Sequence, residues 1–174
     1  MSGTSFISST FLRRTSGCFA QPMMDTPYER LLESLARAEV KFIVVGGVAV
    51  ALNGFVRTTD DVDILIERSP ENIQRLLATL AAFGEGHARE LSPTDFDEAE
   101  GAVRVIEDFP LDIFTVMRGE SYADMAGYVR QTKINKAKID FLNAEGLIRL
   151  KTDSTREKDQ IDIAALRKRP DSNQ

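Results

Sequence analysis

Two aspartates separated by one residue are the most informative feature of this sequence. Asp61 and Asp63 lie directly before an apolar run over residues 64–66, which predicts a strand inside a sheet. On a strand, residues i and i+2 point to the same face, so the two carboxylates project side by side. Burying both is costly without a compensating cation. Either that face is open to water or a cation lies there, and the apolar run favours a hard cation such as Mg²⁺ or Mn²⁺.

A third aspartate has a similar apolar setting. Asp112 is the only charged residue of the segment 111–114. If its strand neighbours the strand of Asp63, three carboxylates converge, which suffices for two metal ions about 3.5–4 Å apart in a phosphoryl-transfer site. Asp112 could also act as a general base on an acceptor hydroxyl. The competing hypothesis is a structural ion-pair network of these acids with Arg57 and the C-terminal basic residues.

A pair of glycines precedes the aspartates. Residues 42–45 predict a buried strand, and Gly46 and Gly47 predict a tight turn that opens a short helix. The exposed backbone N–H groups of such a turn can bind an anion, and a triphosphate is the natural guest. The alternative is a plain structural turn, since the segment is neither a P-loop nor the dinucleotide fingerprint.

Basic and hydroxyl side chains accompany the acids. Arg57 and Thr59 alternate on the extended segment before the first aspartate, and Arg57 could pair with Asp63 or bind a phosphate through two hydrogen bonds. Lys151 and Lys158 could add positive charge from the C-terminal region. The alternative for these two lysines is a solvated helix face with intrahelical ion pairs.

Composition excludes several other kinds of site. Cys18 is the only cysteine and His87 the only histidine, so an intrachain disulfide and a Cys/His zinc site are both excluded. The net charge of −5 gives no overall attraction for a polyanion. A single cysteine fits a reducing compartment, and no apolar run approaches the ~20 residues that span a bilayer. We therefore expect a cytoplasmic protein without a membrane segment.

The pattern along the chain predicts one mixed domain after an N-terminal segment. Residues 1–24 are rich in Ser and Thr and contain no acid, which is typical of a disordered tail, a misassigned start or a transit peptide. Residues 25–169 read as strands first and helices later, so we expect an α/β (α+β) fold.

Periodicity and end signals predict the individual elements. Helices are expected from a Thr26–Pro27 cap onwards, over 48–53, 70–83 and 122–129, and over about 144–167 with a break near 152–154. Strands are expected over 42–45, 62–66, 102–107, 111–117 and 138–142, and an irregular stretch over 84–101.

Together these residues resemble the nucleotidyltransferase (DNA polymerase beta-like) superfamily. The resemblance is carried by Gly46-Gly47, by Arg57-x-Thr59-x-Asp61-Val62-Asp63, and by Asp112 in an apolar strand. It is closest to the small bacterial AbiEii-type branch, named after the abortive-infection toxins. The C-terminal pattern of that branch is matched by Lys151, by Arg156-Glu157-Lys158-Asp159 and by Asp162.

The resemblance covers roughly residues 30–167 and implies a short mixed sheet flanked by helices, with further helices at the C-terminus. It implies metal ligation by Asp61, Asp63 and the third carboxylate, Asp112. It places Gly46 and Gly47 at the triphosphate. The resemblance also implies that four further residues either contact the substrate or support the residues of the site: Arg57, Thr59, Lys151 and Lys158.

The implied function is transfer of a nucleoside monophosphate from an NTP, such as ATP, to an acceptor hydroxyl, with Mg²⁺ or Mn²⁺ as cofactor. Relatives modify tRNA, proteins or small molecules, and several belong to toxin–antitoxin pairs, so a cognate toxin or antitoxin partner and a role in phage defence are expected. The chain is much shorter than the full abortive-infection toxins and shows no obvious tRNA-gripping domain. The alternative is therefore a catalytically inactive nucleotide-binding or protein-binding module of the same fold.

Overall fold

The computed structural model describes residues 26–55, 58–97 and 99–168 of the chain. Within these ranges the α-helices are α1 Pro27–Arg37, α2 Gly46–Leu52, α3 Pro70–Ala81, α4 Tyr122–Met125, α5 Ala144–Lys151 and α6 Glu157–Lys168. The strands are β1 Phe42–Val45, β2 Val62–Ile66, β3 Ala102–Ile106, β4 Pro110–Phe114, β5 Val116–Met117, β6 Glu120–Ser121, β7 Val129–Ile134 and β8 Ala137–Leu142. Short 3₁₀ turns cover His87–Glu90, Pro93–Asp95 and Ala126–Tyr128.

One mixed sheet organises these elements, in the strand order β3-β4-β2-β1-β8-β7. The pairs β2–β4 and β1–β8 are parallel, whereas β1–β2, β3–β4 and β7–β8 are antiparallel. The two central strands, β1 and β2, supply fully buried side chains, including Ile43, Val44, Ile64 and Leu65. The expected α/β fold with a mixed sheet flanked by helices is thus confirmed.

The first helix shows how local sequence sets an element. The Thr26 hydroxyl accepts a hydrogen bond from the Glu29 backbone N–H at 3.3 Å, and the Glu29 carboxylate accepts one from the Thr26 N–H at 3.0 Å. This reciprocal capping box satisfies two backbone donors at the helix start. Leu31, Leu32 and Leu35 form its buried face against the core. The cap predicted at Thr26–Pro27 is therefore confirmed.

Several predicted boundaries differ from the structure. The strand expected over 111–117 is divided into β4, which ends at Phe114, and β5, Val116–Met117, and no strand was expected at β7. The helix expected from residue 48 begins at Gly46, so the two glycines are its first turn rather than a separate turn before it. The helix expected over 122–129 ends at Met125, and its last part is a 3₁₀ turn followed by strand β7. The β7 sequence gives a weak strand signal because it lies at the sheet edge, where four of its six side chains are polar and three are exposed.

The described residues contain no helix that is both long and apolar enough to cross a membrane. The expected N-terminal tail, residues 1–24, and Arg57 lie outside the described residues.

Candidate functional site

Three aspartates meet where β2 and β4 run side by side. Asp63 and Asp112 are register partners in this parallel pair, and Asp61 lies directly before β2. Each of the three offers a carboxylate oxygen within 4.8 Å of the other two. Asp112 is buried, whereas Asp61 and Asp63 are half-buried. The pairing of β2 with β4, which the predicted convergence of Asp112 with the other two aspartates required, is therefore confirmed.

The electrostatics of this cluster concentrate on Asp63. Burial, then the charges of Asp61 and Asp112, raise the pKa of Asp63 to about 6 from its ordinary 3.8. The charge of Lys151 and a hydrogen bond from the Gly47 backbone N–H act in the opposite direction. Three neighbouring carboxylates, whose negative charges repel one another, form a set of oxygen ligands that a hard divalent cation would stabilise. The chemistry of these residues thus fits Mg²⁺ or Mn²⁺.

The first turn of α2 packs directly against Asp63. Gly46 has a left-handed backbone with φ of +60°, and a Cβ atom there would lie 1.9 Å from Asp63 Oδ2 and 2.6 Å from its Cγ. Only glycine fits both the backbone conformation and this approach. The N–H of Gly47 is hydrogen-bonded to the same carboxylate. The glycine pair therefore fixes the position of Asp63, and its contact with a triphosphate stays a prediction.

The hydroxyl of Thr59 fixes the other half of the aspartate pair. It donates toward Asp61 Oδ1 at 3.0 Å and lies 3.2 Å from the Asp61 backbone oxygen. This short-range contact holds Asp61 in an extended approach to β2. Thr59 is thus a positioning residue for Asp61 in the structure.

Arg104 is a member of the site that the sequence pattern did not reveal. It lies opposite Asp112 in the antiparallel β3–β4 pair, and its Nε and Nη2 donate to Asp112 Oδ1 and Oδ2 at 2.7 and 2.6 Å. These hydrogen bonds and the charge of Asp112 raise the pKa of Arg104, so the guanidinium stays charged. The sequence did contain one signal for this pair. Arg104 and Asp112 are equally far along the chain from Asp108, in the turn of the predicted hairpin, and such residues lie opposite each other in an antiparallel pair.

Lys151 is held between two acids that join α5 to α6. Its Nζ pairs with the Asp159 carboxylate and lies 3.0 Å from Asp162 Oδ2. Burial raises the pKa of Asp159, but the hydrogen bonds from Lys151 and Ser154 outweigh it and keep that pKa below its ordinary value. The Lys151 side chain is only 12% exposed. The solvated helix face with intrahelical ion pairs is therefore wrong for Lys151, whose ion pairs join two helices in a mostly buried position. Its predicted phosphate contact stays a prediction.

A turn between β5 and β6 brings a further basic residue to the site. Arg118 has a left-handed backbone with φ of +55°. The Glu100 carboxylate accepts hydrogen bonds from the N–H groups of Arg118 and Gly119, both at 3.0 Å. Glu100 thus holds the turn that carries Arg118, a contact between distant segments that spacing alone could not predict.

The aspartates, the glycines and the basic residues line one open cavity of about 680 Å³. Its positively charged lining residues are Arg104, Arg118, Lys151, Arg156 and Lys158. Arg156 and Lys158, at the start of α6, are exposed. This volume is within the range of sites for small ligands. Acids that fit a cation lie beside cations that fit an anion, so the cavity suits a phosphorylated ligand bound together with a metal.

A family model described as "Nucleotidyltransferase of unknown function (DUF6036)" matches residues 24–169 of the chain. None of the curated proteins matches this chain.

Two solved structures share the fold. One is an antigenic nucleotidyltransferase-like protein from Paracoccidioides brasiliensis, with a TM-score of 0.53, 18% identity, and coverage of 83% of this chain and 76% of that chain. The other is a putative nucleotidyltransferase from Thermotoga maritima, with a TM-score of 0.52, 20% identity, and coverage of 82% and 94%. At these identities the likeness concerns the fold alone.

Proposed function

We propose, because this chain belongs to the DUF6036 family of nucleotidyltransferases, that it is an active, metal-dependent nucleotidyltransferase. In the proposed reaction an acceptor hydroxyl attacks the α-phosphorus of an NTP. The new bond joins the acceptor oxygen to that phosphorus, the bond to the bridging oxygen breaks, and pyrophosphate leaves. The hydroxyl proton passes to a base, for which Asp112 or water is a candidate.

The observation that carries this proposal is the convergence of Asp61, Asp63 and Asp112 within 4.8 Å in the cavity. These three residues are the ones that would hold Mg²⁺ or Mn²⁺. A divalent cation bound there would supply positive charge that stabilises the transferred phosphoryl group.

The other residues prepare the site for that role. Thr59 orients Asp61, and the close approach of Gly46 orients Asp63. Arg118, Arg156 and Lys158 are exposed cations of the same cavity, and they would reduce the charge of a bound triphosphate. Arg57 remains a proposed phosphate contact, supported by its place in the sequence before Asp61 and by the resemblance.

The acceptor and the biological role are proposed at a coarser level. The AbiEii-type resemblance supports an acceptor hydroxyl on tRNA, a protein or a small molecule. It also supports a cognate toxin or antitoxin partner, a role in phage defence and a cytoplasmic location. ATP is one candidate donor among the NTPs.

A second candidate function is favoured by one observation. Arg104 occupies both oxygens of Asp112, as a permanent counter-ion would in a site that has lost its metal. In that case the chain is a catalytically inactive nucleotide-binding or protein-binding module of the same fold.

Label transfer distinguishes the two functions. The protein is incubated with NTPs labelled at the α-phosphate, with Mg²⁺ or Mn²⁺, and with separate pools of cellular RNA, protein and small molecules. We expect labelled acceptor with the wild type, loss of label with Asp61→Asn, and retention with Asp60→Asn, whose carboxylate is exposed and outside the cluster. Nucleotide binding by the wild type without any label transfer would favour the inactive module.

A further inference from the structure

The two residues of the Arg104–Asp112 ion pair differ in burial. Asp112 is buried in β4, whereas the Arg104 side chain is 55% exposed and lies on β3, at the end of the described sheet order. Two parallel charge-assisted hydrogen bonds join them. The acid is therefore fixed by the core, while the guanidinium can leave it without disturbing buried packing.

The charge balance of the cluster explains why a partner is needed at Asp112. A buried carboxylate without a counter-charge is strongly unfavourable. Lys151 is already paired with Asp159 and Asp162. Among the residues that the structure describes, Arg104 is the cation that is hydrogen-bonded to the three-aspartate cluster. Arg104 thus supplies part of the positive charge that a divalent cation would supply.

We propose that Arg104 competes with the divalent cation for Asp112 and, once displaced, binds a phosphate group of the nucleotide in the same cavity. This inference rests on the proposed function. A guanidinium and a divalent cation repel each other, so both cannot share the Asp112 oxygens at full strength. Arg104 lines the cavity, and a guanidinium binds phosphate oxygens in the same forked manner as it binds a carboxylate.

Coupled binding follows from this exchange. The cation alone has to displace Arg104 from a paired contact, whereas in the presence of nucleotide the displaced guanidinium gains a new anionic partner. Cation and nucleotide should therefore each raise the affinity for the other, as linkage requires. A guanidinium that merely orients Asp112 makes the opposite prediction, because its removal would then weaken cation binding.

The test is a titration of full-length protein with Mn²⁺ in the absence of nucleotide, followed by electron paramagnetic resonance of the free ion. Arg104→Gln removes the charge but keeps a polar side chain of similar length. Glutamine carries no charge and can keep only one of the two hydrogen bonds to Asp112. Since a hydrogen bond to a charged group shifts an equilibrium about tenfold, we expect Arg104→Gln to bind Mn²⁺ about tenfold more tightly than the wild type. A non-hydrolysable ATP analogue, titrated at saturating Mn²⁺, should bind about tenfold more weakly to the variant.

Arg149→Gln is the matched control. Arg149 also pairs through Nε and Nη2, with Glu120 at 2.7 and 2.6 Å, and its side chain is 50% exposed. It does not line the cavity of the three aspartates. We expect its Mn²⁺ and nucleotide affinities to equal those of the wild type.

The outcomes separate this inference from the proposed function. If the wild type binds Mn²⁺ and nucleotide but Arg104→Gln binds Mn²⁺ equally or more weakly, the competition is overturned and the proposed function stands. Unchanged nucleotide affinity would overturn the phosphate contact. If neither protein binds Mn²⁺, both proposals fail. Binding of Mn²⁺ by Arg104→Gln alone would support the competition in its strongest form.

Discussion

At the residue scale, Asp63 is the acid of the site whose ionisation is made less favourable by its surroundings. It is half-buried, it neighbours two other carboxylates, and its pKa is about 6 in place of 3.8. Between these two values the folded protein binds more protons than the unfolded chain does. The protonated Asp63 carboxyl therefore contributes its full stabilising free energy at pH values below its pKa in the unfolded chain. That contribution is lost as the pH rises through about 6, where Asp63 ionises in the folded protein.

The first prediction concerns Asp63→Asn in the metal-free protein. Asparagine removes the ionisation, so the variant should gain free energy of unfolding relative to the wild type as the pH rises from about 4 to about 7. Urea unfolding of both proteins at several pH values measures the difference. Asp60→Asn, at an exposed position, is the control and should show a flat difference. A flat difference for Asp63→Asn as well would contradict the assigned pKa.

The second prediction concerns Gly46→Ala. A left-handed alanine costs about 1–2 kcal/mol, and its Cβ would overlap Asp63, so we expect a loss of more than about 2 kcal/mol in the free energy of unfolding. Gly127→Ala, where an added Cβ meets nothing within 4 Å, should change it by less than about 0.5 kcal/mol. Equal effects at the two positions would show that the contact between Gly46 and Asp63 is absent.

Residue patterns predicted the aspartates but not their basic partner. The two-residue period of a strand places Asp61 beside Asp63 without any knowledge of the fold. Arg104 could be found only from the β3–β4 register, because an arginine in a strand is compatible with many partners. The same limitation applies to Lys151, whose ion pairs depend on how α5 and α6 meet.

At the element scale, the junction of α5 and α6 forms one wall of the cavity. Lys151, on α5, satisfies Asp159 and Asp162, on α6, and Asp162 is fully buried. Breaking a buried ion pair by removing one partner leaves uncompensated charge. The junction therefore depends on Lys151 for its stability, whereas Lys158 extends into solvent from the same region.

The third prediction separates the two lysines. Lys151→Met should lower the free energy of unfolding by about 3–5 kcal/mol, since two buried carboxylates each lose their ion pair with Lys151. Lys158→Met should change it by less than about 0.5 kcal/mol but weaken nucleotide binding. Denaturant unfolding and calorimetric titration with a non-hydrolysable NTP provide the two readouts. A stable Lys151→Met protein with reduced nucleotide affinity would instead assign Lys151 to the phosphates.

Elements with a strong periodic pattern were predictable, and pairing partners were not. Strands β1 and β2 have short apolar sequences that are typical of buried strands. Helix α3 has both an N-terminal cap and a periodic apolar face. The edge strand β7 has no such pattern. The parallel neighbours β2 and β4 are separated in the chain by α3, an irregular stretch and β3, so their register depends on tertiary packing.

At the scale of the whole molecule, the sheet brings the chain's dispersed polar residues to one cavity. The order of the predicted strands and helices indicated the fold class, but not the strand order that places β8 beside β1 and β4 beside β2. That order is what allows segments near residues 46, 61, 104, 112 and 158 to line the same cavity. A ligand of the cavity should therefore stabilise the entire fold.

The fourth prediction is a thermal shift. At a Mn²⁺ concentration about 100 times its Kd, the melting temperature should rise by roughly 5–10 °C for a chain of this size. Asp61→Asn should remove most of the shift, and Asp60→Asn should retain it. An equal rise in all three proteins would indicate binding elsewhere on the surface.

The central claim is that Asp61, Asp63 and Asp112 together hold the cation that serves nucleotide transfer. The most direct measurement is a crystal structure of the protein with Mn²⁺ and a non-hydrolysable NTP, with the ion located by its anomalous scattering. We expect an anomalous peak bounded by oxygens of these three aspartates, with the nucleotide phosphates beside it. A peak bound by other residues, or nucleotide density without a peak at the three carboxylates, would contradict it.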